Sequence, residues 1–141
     1  MIDPHHTLPD VDFESHEPTD FGTFSRQTIS VMQNGRRVGG CDLIVEFGSK
    51  VHFDGIEIDR TARGKGVGLA MYLHAIEKAQ SLGLPFETQE ITQTKDAKKI
   101  WEHLVRVGVA EVVEPFRETR SVDGEPRYEG RYVVPASESS L

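Results

Sequence analysis

Cysteine is almost missing from this chain: Cys41 is the only one in 141 residues. No disulfide can form within the chain, and zinc sites built from cysteine clusters are excluded. Long apolar runs are also missing. Each falls far short of the roughly 20 residues that a spanning helix needs, so no membrane span fits. The first residues, Met1 to His6, lack the basic and apolar regions of a signal peptide, which makes the cytoplasm the expected location. Basic residues are outnumbered, 16 against 23 acidic, for a net charge of −7. Gripping a nucleic-acid backbone takes clustered Lys and Arg, so this balance argues against nucleic acid as the main partner. An acidic surface attracts cationic substrates such as amines, although the same charge also serves plain solubility. No internal repeat is present.

What is there suits one domain with a modest core: 15.8 kDa, 37% hydrophobic residues and a mean hydropathy of −0.41. Residues 1–22 carry Pro4, Pro9 and Pro18, several acids and few apolar groups, and read as a flexible or loosely docked arm. The domain proper is expected over 23–135, and residues 136–141 read as a disordered tail.

Within the domain, the spacing predicts strands over 28–33 and 38–47 joined by an Asn34-Gly35 hairpin turn, then a turn at Gly48-Ser49 into a strand over 51–58. From Gly66 to Gln80, apolar residues at 69, 73 and 76 follow helical spacing, and Gly83 suits a C-cap. A short strand over 84–91 follows, parallel to 51–58 because a helix links the two. A second helix is expected over about 95–107, burying Ala97, Ile100, Trp101 and Leu104. Strands at 109–116 and 128–134 close the domain around a turn at Asp123-Gly124. The order β-β-β-α-β-α-β-β is that of an α/β fold with a mixed, mostly antiparallel sheet and helices packed on it. Exposed strands at the sheet edges would allow a homodimer.

The most informative stretch is Arg63-Gly64-Lys65-Gly66-Val67-Gly68, between the third strand and the first helix. Glycines allow a tight turn and close backbone approach to a ligand, and the helix N-terminus favours an anion. Arg63 and Lys65 add mobile positive charge. Together these imply a pyrophosphate. A P-loop requires Ser or Thr after Gly-Lys, but Gly66 follows Lys65. A dinucleotide fingerprint requires its third glycine further on than G-x-G-x-G allows. The spacing that fits is Arg-x-x-Gly-x-Gly, formed by Arg63, Gly66 and Gly68, and in it the chain resembles the GNAT family of N-acetyltransferases. A second stretch, Thr94 to Leu104, resembles the family's Asn-x-x-Ala-x-x-Leu-Tyr-Glu-x-Leu helix. Ala97, Glu102 and Leu104 match and Ile100 is conservative, whereas Thr94 and Trp101 depart from the pattern. The resemblance covers about residues 24–134.

This resemblance implies acetyl-coenzyme A as cosubstrate and an amine as acceptor. No metal is assigned, because the His5-His6 pair could chelate one but has no further ligands beside it. The resemblance places the pyrophosphate on the loop from Arg63 to Gly68, with the pantetheine arm hydrogen-bonded to backbone near Ile58 and Thr94 and Trp101 at the second helix. The amino-terminal helices that usually shape the family's acceptor site are missing or very short here. Amine acetylation needs a base, because an alkyl amine with a pKa of about 10.4 is protonated at neutral pH. His52 and Asp54, eleven and nine residues before Arg63, lie where some family members carry theirs. Strand alternation puts His52, Asp54, Ile56 and Ile58 on one face and Val51, Phe53, Gly55 and Glu57 on the other. His52 is the first choice for proton acceptor, Asp54 its helper and Glu57 the reserve. The same pattern is also what a solvent-facing strand shows. The family often protonates the departing sulfur with a Tyr where this chain has Trp101, which cannot do so. Tyr72 is a conceivable substitute, although its position also suits packing. A non-catalytic acyl-coenzyme A-binding or protein-interaction module is therefore the alternative, and an acetyltransferase aimed at one macromolecule is a third reading.

Overall fold

A computed structural model describes residues 9–89 and 92–136. Its strands are β1 (Asp12–Ser15), β2 (Thr19–Asp20), β3 (Phe24–Gln33), β4 (Arg36–Glu46), β5 (Lys50–Ile58), β6 (Phe86–Glu87), β7 (Glu111–Val122) and β8 (Glu125–Val134). Helix α1 (Val67–Ser81) lies between β5 and β6, and α2 (Lys95–Arg106) between β6 and β7. All eight strands form one sheet in the order β1-β3-β4-β5-β6-β8-β7, with β2 also paired to β3. From β3 onward the element order is the expected one.

The hairpin turns lie where their residues demand. Asn34 and Gly35 take positive φ of 52° and 75°, and Asp123 and Gly124 take 52° and 78°, the left-handed pairs that such turns require. Both helices end in the same hydrogen-bonded device. After α1, the amides of Gly83 and Leu84 donate to the carbonyls of Gln80 and Ala79. After α2, those of Gly108 and Val109 donate to Val105 and Leu104. Glycine supplies the positive φ at the first position of each pair, 71° and 79°.

Both helices pack on one face of the sheet, since Tyr72 of α1 and Trp101 of α2 meet the same ring, Phe86. Trp101 stacks on Phe86 with centroids 5.5 Å apart and meets Tyr72 edge-on at 5.7 Å. Phe53 joins this cluster. Ala97 and Ile100, expected as buried with Trp101 and Leu104, are only partly so. Among the described residues no helix covers the opposite face.

The amino-terminal stretch expected as a flexible or loosely docked arm carries β1 and β2. β1 pairs with Ile29–Met32 of β3, and β2 pairs with Ser25 and Arg26. Val11 and Phe13 pack against the core, Phe13 stacking on His74 of α1 with centroids 4.0 Å apart. Residues 137–141 of the expected tail lie outside the described residues.

β6 is shorter than the strand expected over 84–91, whose last two residues also lie outside the described residues. It pairs with β5 at Val51↔Phe86 alone, then stays with β8, where the Thr88 amide donates to the Tyr132 carbonyl at 3.1 Å. β5 and β6 therefore part company after one residue pair. That divergence opens a gap along the β6-facing edge of β5.

Candidate active site

β5 leads through a 3-10 turn at Arg60–Ala62, anchored by buried Ala62, into the exposed loop that starts α1. Gly66 is the N-cap residue at φ 84°, and no side chain caps the helix. There is no acidic residue in the first turn. The first amides of a 15-residue helix thus face outward beside Arg63 and Lys65, an arrangement suited to an anion. Gly64 also has positive φ, 75°. Gly68 serves packing instead: a Cβ there would lie 3.1 Å from Ile100 Cδ1 and 3.3 Å from Ile58 Cδ1. Val67 is a buried core side chain, so it offers a ligand only its backbone. Arg63 Nε donates to the Ile58 carbonyl at 3.1 Å, tying the loop to the end of β5. Pro9 lies over the loop, 3.3 Å from where a Gly66 Cβ would sit. These residues fit a pyrophosphate, and the β5 edge beside them fits an extended arm that pairs like a strand.

The alternation expected for β5 breaks at Gly55. Register with β4 passes from Leu43↔Phe53 to Cys41↔Ile56, so β5 has one residue more than its partner over this stretch, and Gly55 takes φ 101°. This bulge corrects the expected faces. Ile56 and Ile58 turn to the core side with Val51 and Phe53, whereas Glu57 joins His52 and Asp54 on the helix-free face. All three candidate catalytic residues thus share one face.

Their partners also differ from expectation. His52 Nε2 lies 2.9 Å from Glu46 Oε2, and His52 Nδ1 lies 3.2 Å from the Phe53 carbonyl. Asp54 does not reach His52; it accepts from Arg26 at 2.5 Å, and the same guanidinium donates to Asp42 at 2.7 Å. These two bonds, that to Asp54 the larger influence, raise the Arg26 pKa further above its ordinary value. Glu57 pairs with Arg37 at 2.9 Å. Sequence reasoning missed Glu46 and Arg26. The signal for Glu46 was available in the Gly48-Ser49 turn, which sets Glu46↔Lys50 and Ile44↔His52 and so makes Glu46 a diagonal neighbour of His52.

Two hollows open on this face. One, of about 390 Å³, lies around Gly55 between Asp42, Asp54 and Glu57. The other, of about 500 Å³, lies over Phe24, Ile44, Glu46, Phe47, His52 and Asp54.

The two residues of α2 singled out by sequence have structural roles here. Thr94 caps α2, its hydroxyl accepting from the Ala97 amide at 3.2 Å. Trp101 is 1% exposed and buried beneath Phe86 rather than presented to the gap. Tyr72 is also in the core, and burial drives its hydroxyl pKa well upward, so it is no substitute for a proton donor at the surface. Among the described residues no cluster of three or more His, Cys, Asp or Glu is arranged to hold a metal, and no helix is long and apolar enough to cross a membrane. His5 and His6 lie outside the described residues.

Comparison with solved structures gives the same architecture. A Bacillus subtilis acetyltransferase in complex with CoA matches with a TM-score of 0.62 at 14% identity, over 91% of this chain and 100% of that one. The ribosomal-protein-S18-alanine N-acetyltransferase from Escherichia coli matches with a TM-score of 0.59 at 15% identity, over 86% of this chain and 76% of that one. An IAA acetyltransferase from Bacillus cereus matches with 0.56 at 18% identity, over 77% of both chains. At these identities the likeness establishes the fold. No curated protein matches the sequence. The family model described as "Acetyltransferase (GNAT) family" matches residues 2–104, which takes in the strand, loop and helix of the anion site and all of α2 up to Leu104. The chain belongs to the GNAT acetyltransferase family.

Proposed function

We propose that this protein transfers an acetyl group from acetyl-coenzyme A to a primary amine. One observation carries the reading: the uncapped, cation-flanked start of α1 and the His52–Glu46 pair lie toward opposite ends of β5, joined by its open edge. Six residues separate His52 from Ile58, about 20 Å at the rise of an extended strand. A long-armed acyl carrier held at its pyrophosphate by the loop can run along that edge and bring its thioester toward His52.

In this reading the ammonium first gives a proton to His52. The imidazole takes that proton directly or through water, and the Glu46 carboxylate at 2.9 Å from Nε2 holds the ring as it becomes cationic. The free amine attacks the thioester carbonyl carbon; the N–C bond forms, the C–S bond breaks, and the sulfur leaves with the bonding electron pair. The nitrogen gives its second proton to water, and the departing thiolate is protonated from water. A thiol with a pKa of about 8.5 is a competent leaving group without a dedicated acid. Backbone amides on the β5 edge would polarise the carbonyl.

A second reading, acyl-coenzyme A binding without transfer, is favoured by the burial of both Trp101 and Tyr72, which leaves no tyrosine hydroxyl from either helix for the sulfur. Calorimetric titration with acetyl-coenzyme A, followed by mass spectrometry with amine acceptors, separates the two. Binding with acetylated product supports transfer. Binding with no product across a broad amine panel supports the second reading.

A further inference from the structure

The 500 Å³ hollow on the helix-free face has a composition that the transfer reaction alone does not require. Its polar floor is Glu46, His52 and Asp54. Its walls are Phe24, Ile44 and Phe47. Phe21 stacks on Phe24 with ring centroids 4.9 Å apart, extending the apolar rim. Three of the chain's seven Phe therefore gather at one hollow. Two of them are half exposed, Phe21 at 53% and Phe47 at 50%, where they add little to the core. Neighbouring strands keep the two kinds of surface in fixed register, Phe24 opposite Glu46 and Ile44 opposite His52. Arg26 also lines this hollow, its guanidinium bonded to the carboxylates of Asp42 and Asp54, and the Lys50 ammonium lies at the margin, 3.9 Å from Glu46 Oε2.

Such a hollow complements a molecule with one cationic end and one apolar end. The ammonium would sit on the Glu46 carboxylate beside His52, and an aromatic or branched body would cover the Phe rings, which also attract a cation by their faces. A linear polyamine fits poorly, because its second ammonium would have to lie among Phe21, Phe24 and Phe47 away from water.

Resting on the acetyl-transfer reading, we infer that the acceptor is a small primary amine carrying an aromatic or bulky apolar body, seated between Phe24, Phe47 and the Glu46–His52 pair. The test compares phenethylamine and 4-phenylbutylamine with putrescine and spermidine, following coenzyme A release and product mass. A parallel calorimetric titration of the same amines into the protein alone uses no acyl donor.

The expected result is that the arylalkyl amines exceed the polyamines in kcat/KM by about tenfold or more, the scale of a well-filled apolar subsite. Phe47→Ala, a half-exposed position that tolerates truncation, should raise the arylalkyl amine KM by about tenfold while leaving the affinity for acetyl-coenzyme A unchanged. Preference for the polyamines, or an unchanged KM in Phe47→Ala, overturns the inference. If the protein transfers no acetyl group, titration still decides: saturable arylalkyl amine binding weakened by Phe47→Ala supports the pocket, and its absence removes it.

Discussion

His52 Nε2 lies 2.9 Å from Glu46 Oε2, a carboxylate one strand away that fixes the imidazole on the helix-free face. If His52 is the base, His52→Ala should lower kcat by about 10²-fold or more, the usual weight of a positioned base. Glu46→Gln keeps the shape and a hydrogen-bonding oxygen but removes the charge. It should lower kcat by about tenfold with little change in the KM for acetyl-coenzyme A. Steady-state kinetics on both variants checks this. Asp54→Asn should matter less, because Asp54 is held by Arg26 and not by His52. Equal losses from Asp54→Asn and Glu46→Gln would refute the pairing drawn here.

Gly66 offers a separate test of the anion site. It holds φ 84°, where a side chain strains the backbone by roughly 1–2 kcal/mol, and an added Cβ would sit 3.3 Å from Pro9 Cδ. Gly66→Ala should lower Tm by several degrees and weaken acetyl-coenzyme A binding. Gly64→Ala has positive φ but meets nothing within 4 Å. It should cost backbone strain without the Pro9 contact. Thermal melts and calorimetry on the two variants distinguish strain from lost approach.

The elements most readable in the sequence were those with strong local chemistry. Asn34-Gly35 and Asp123-Gly124 set their turns, Gly83 and Gly108 stopped their helices, and the glycine loop announced the start of α1. The faces of β5 were misread beyond Asp54, because a bulge at Gly55 reverses the alternation and its cause lies in pairing with β4. β1 and β2 were not foreseen, since the few apolar residues there, Val11 just before β1 and Phe13 within it, find their value only against α1 and the core. The partner of His52 was hidden for a similar reason. Asp54 is nearer in sequence, but strand register brings Glu46, and Arg26 from β3 claims Asp54.

Cys41 lies in the core, and burial, with a smaller contribution from Asp42, pushes its thiol up from 9.0 to about 12. The folded state therefore keeps a proton that the unfolded chain gives up as pH rises above 9.0. Its contribution to stability is full below that pH and is lost progressively toward 12, at up to about 1.4 kcal/mol per pH unit. Urea unfolding of Cys41→Ala should show a flatter decline than the wild type above pH 9.0. The native thiol should also resist iodoacetamide, reacting on the order of 10³-fold more slowly than free cysteine. Rapid alkylation without unfolding would contradict the burial.

His74 ties the amino-terminal strand to α1 through its stack on Phe13. Burial lowers the imidazole below its ordinary 6.5; Glu77 opposes this and Lys78 adds to it. The folded protein thus takes up a proton here less readily than the unfolded chain. Stability supplied by the neutral ring is complete above 6.5 and declines as the pH falls below it. Because His74 is only half-buried, solvent screening keeps the effect small. Replacing the ring by one that stacks but cannot titrate isolates it. His74→Phe should lose less stability than the wild type as the pH falls below 6.5. Proteolysis should respond in the same direction, with cleavage before β3 accelerating on acidification in the wild type and less so in His74→Phe. Equal acid sensitivity in both proteins would show that the Phe13–His74 stack does not report the proton.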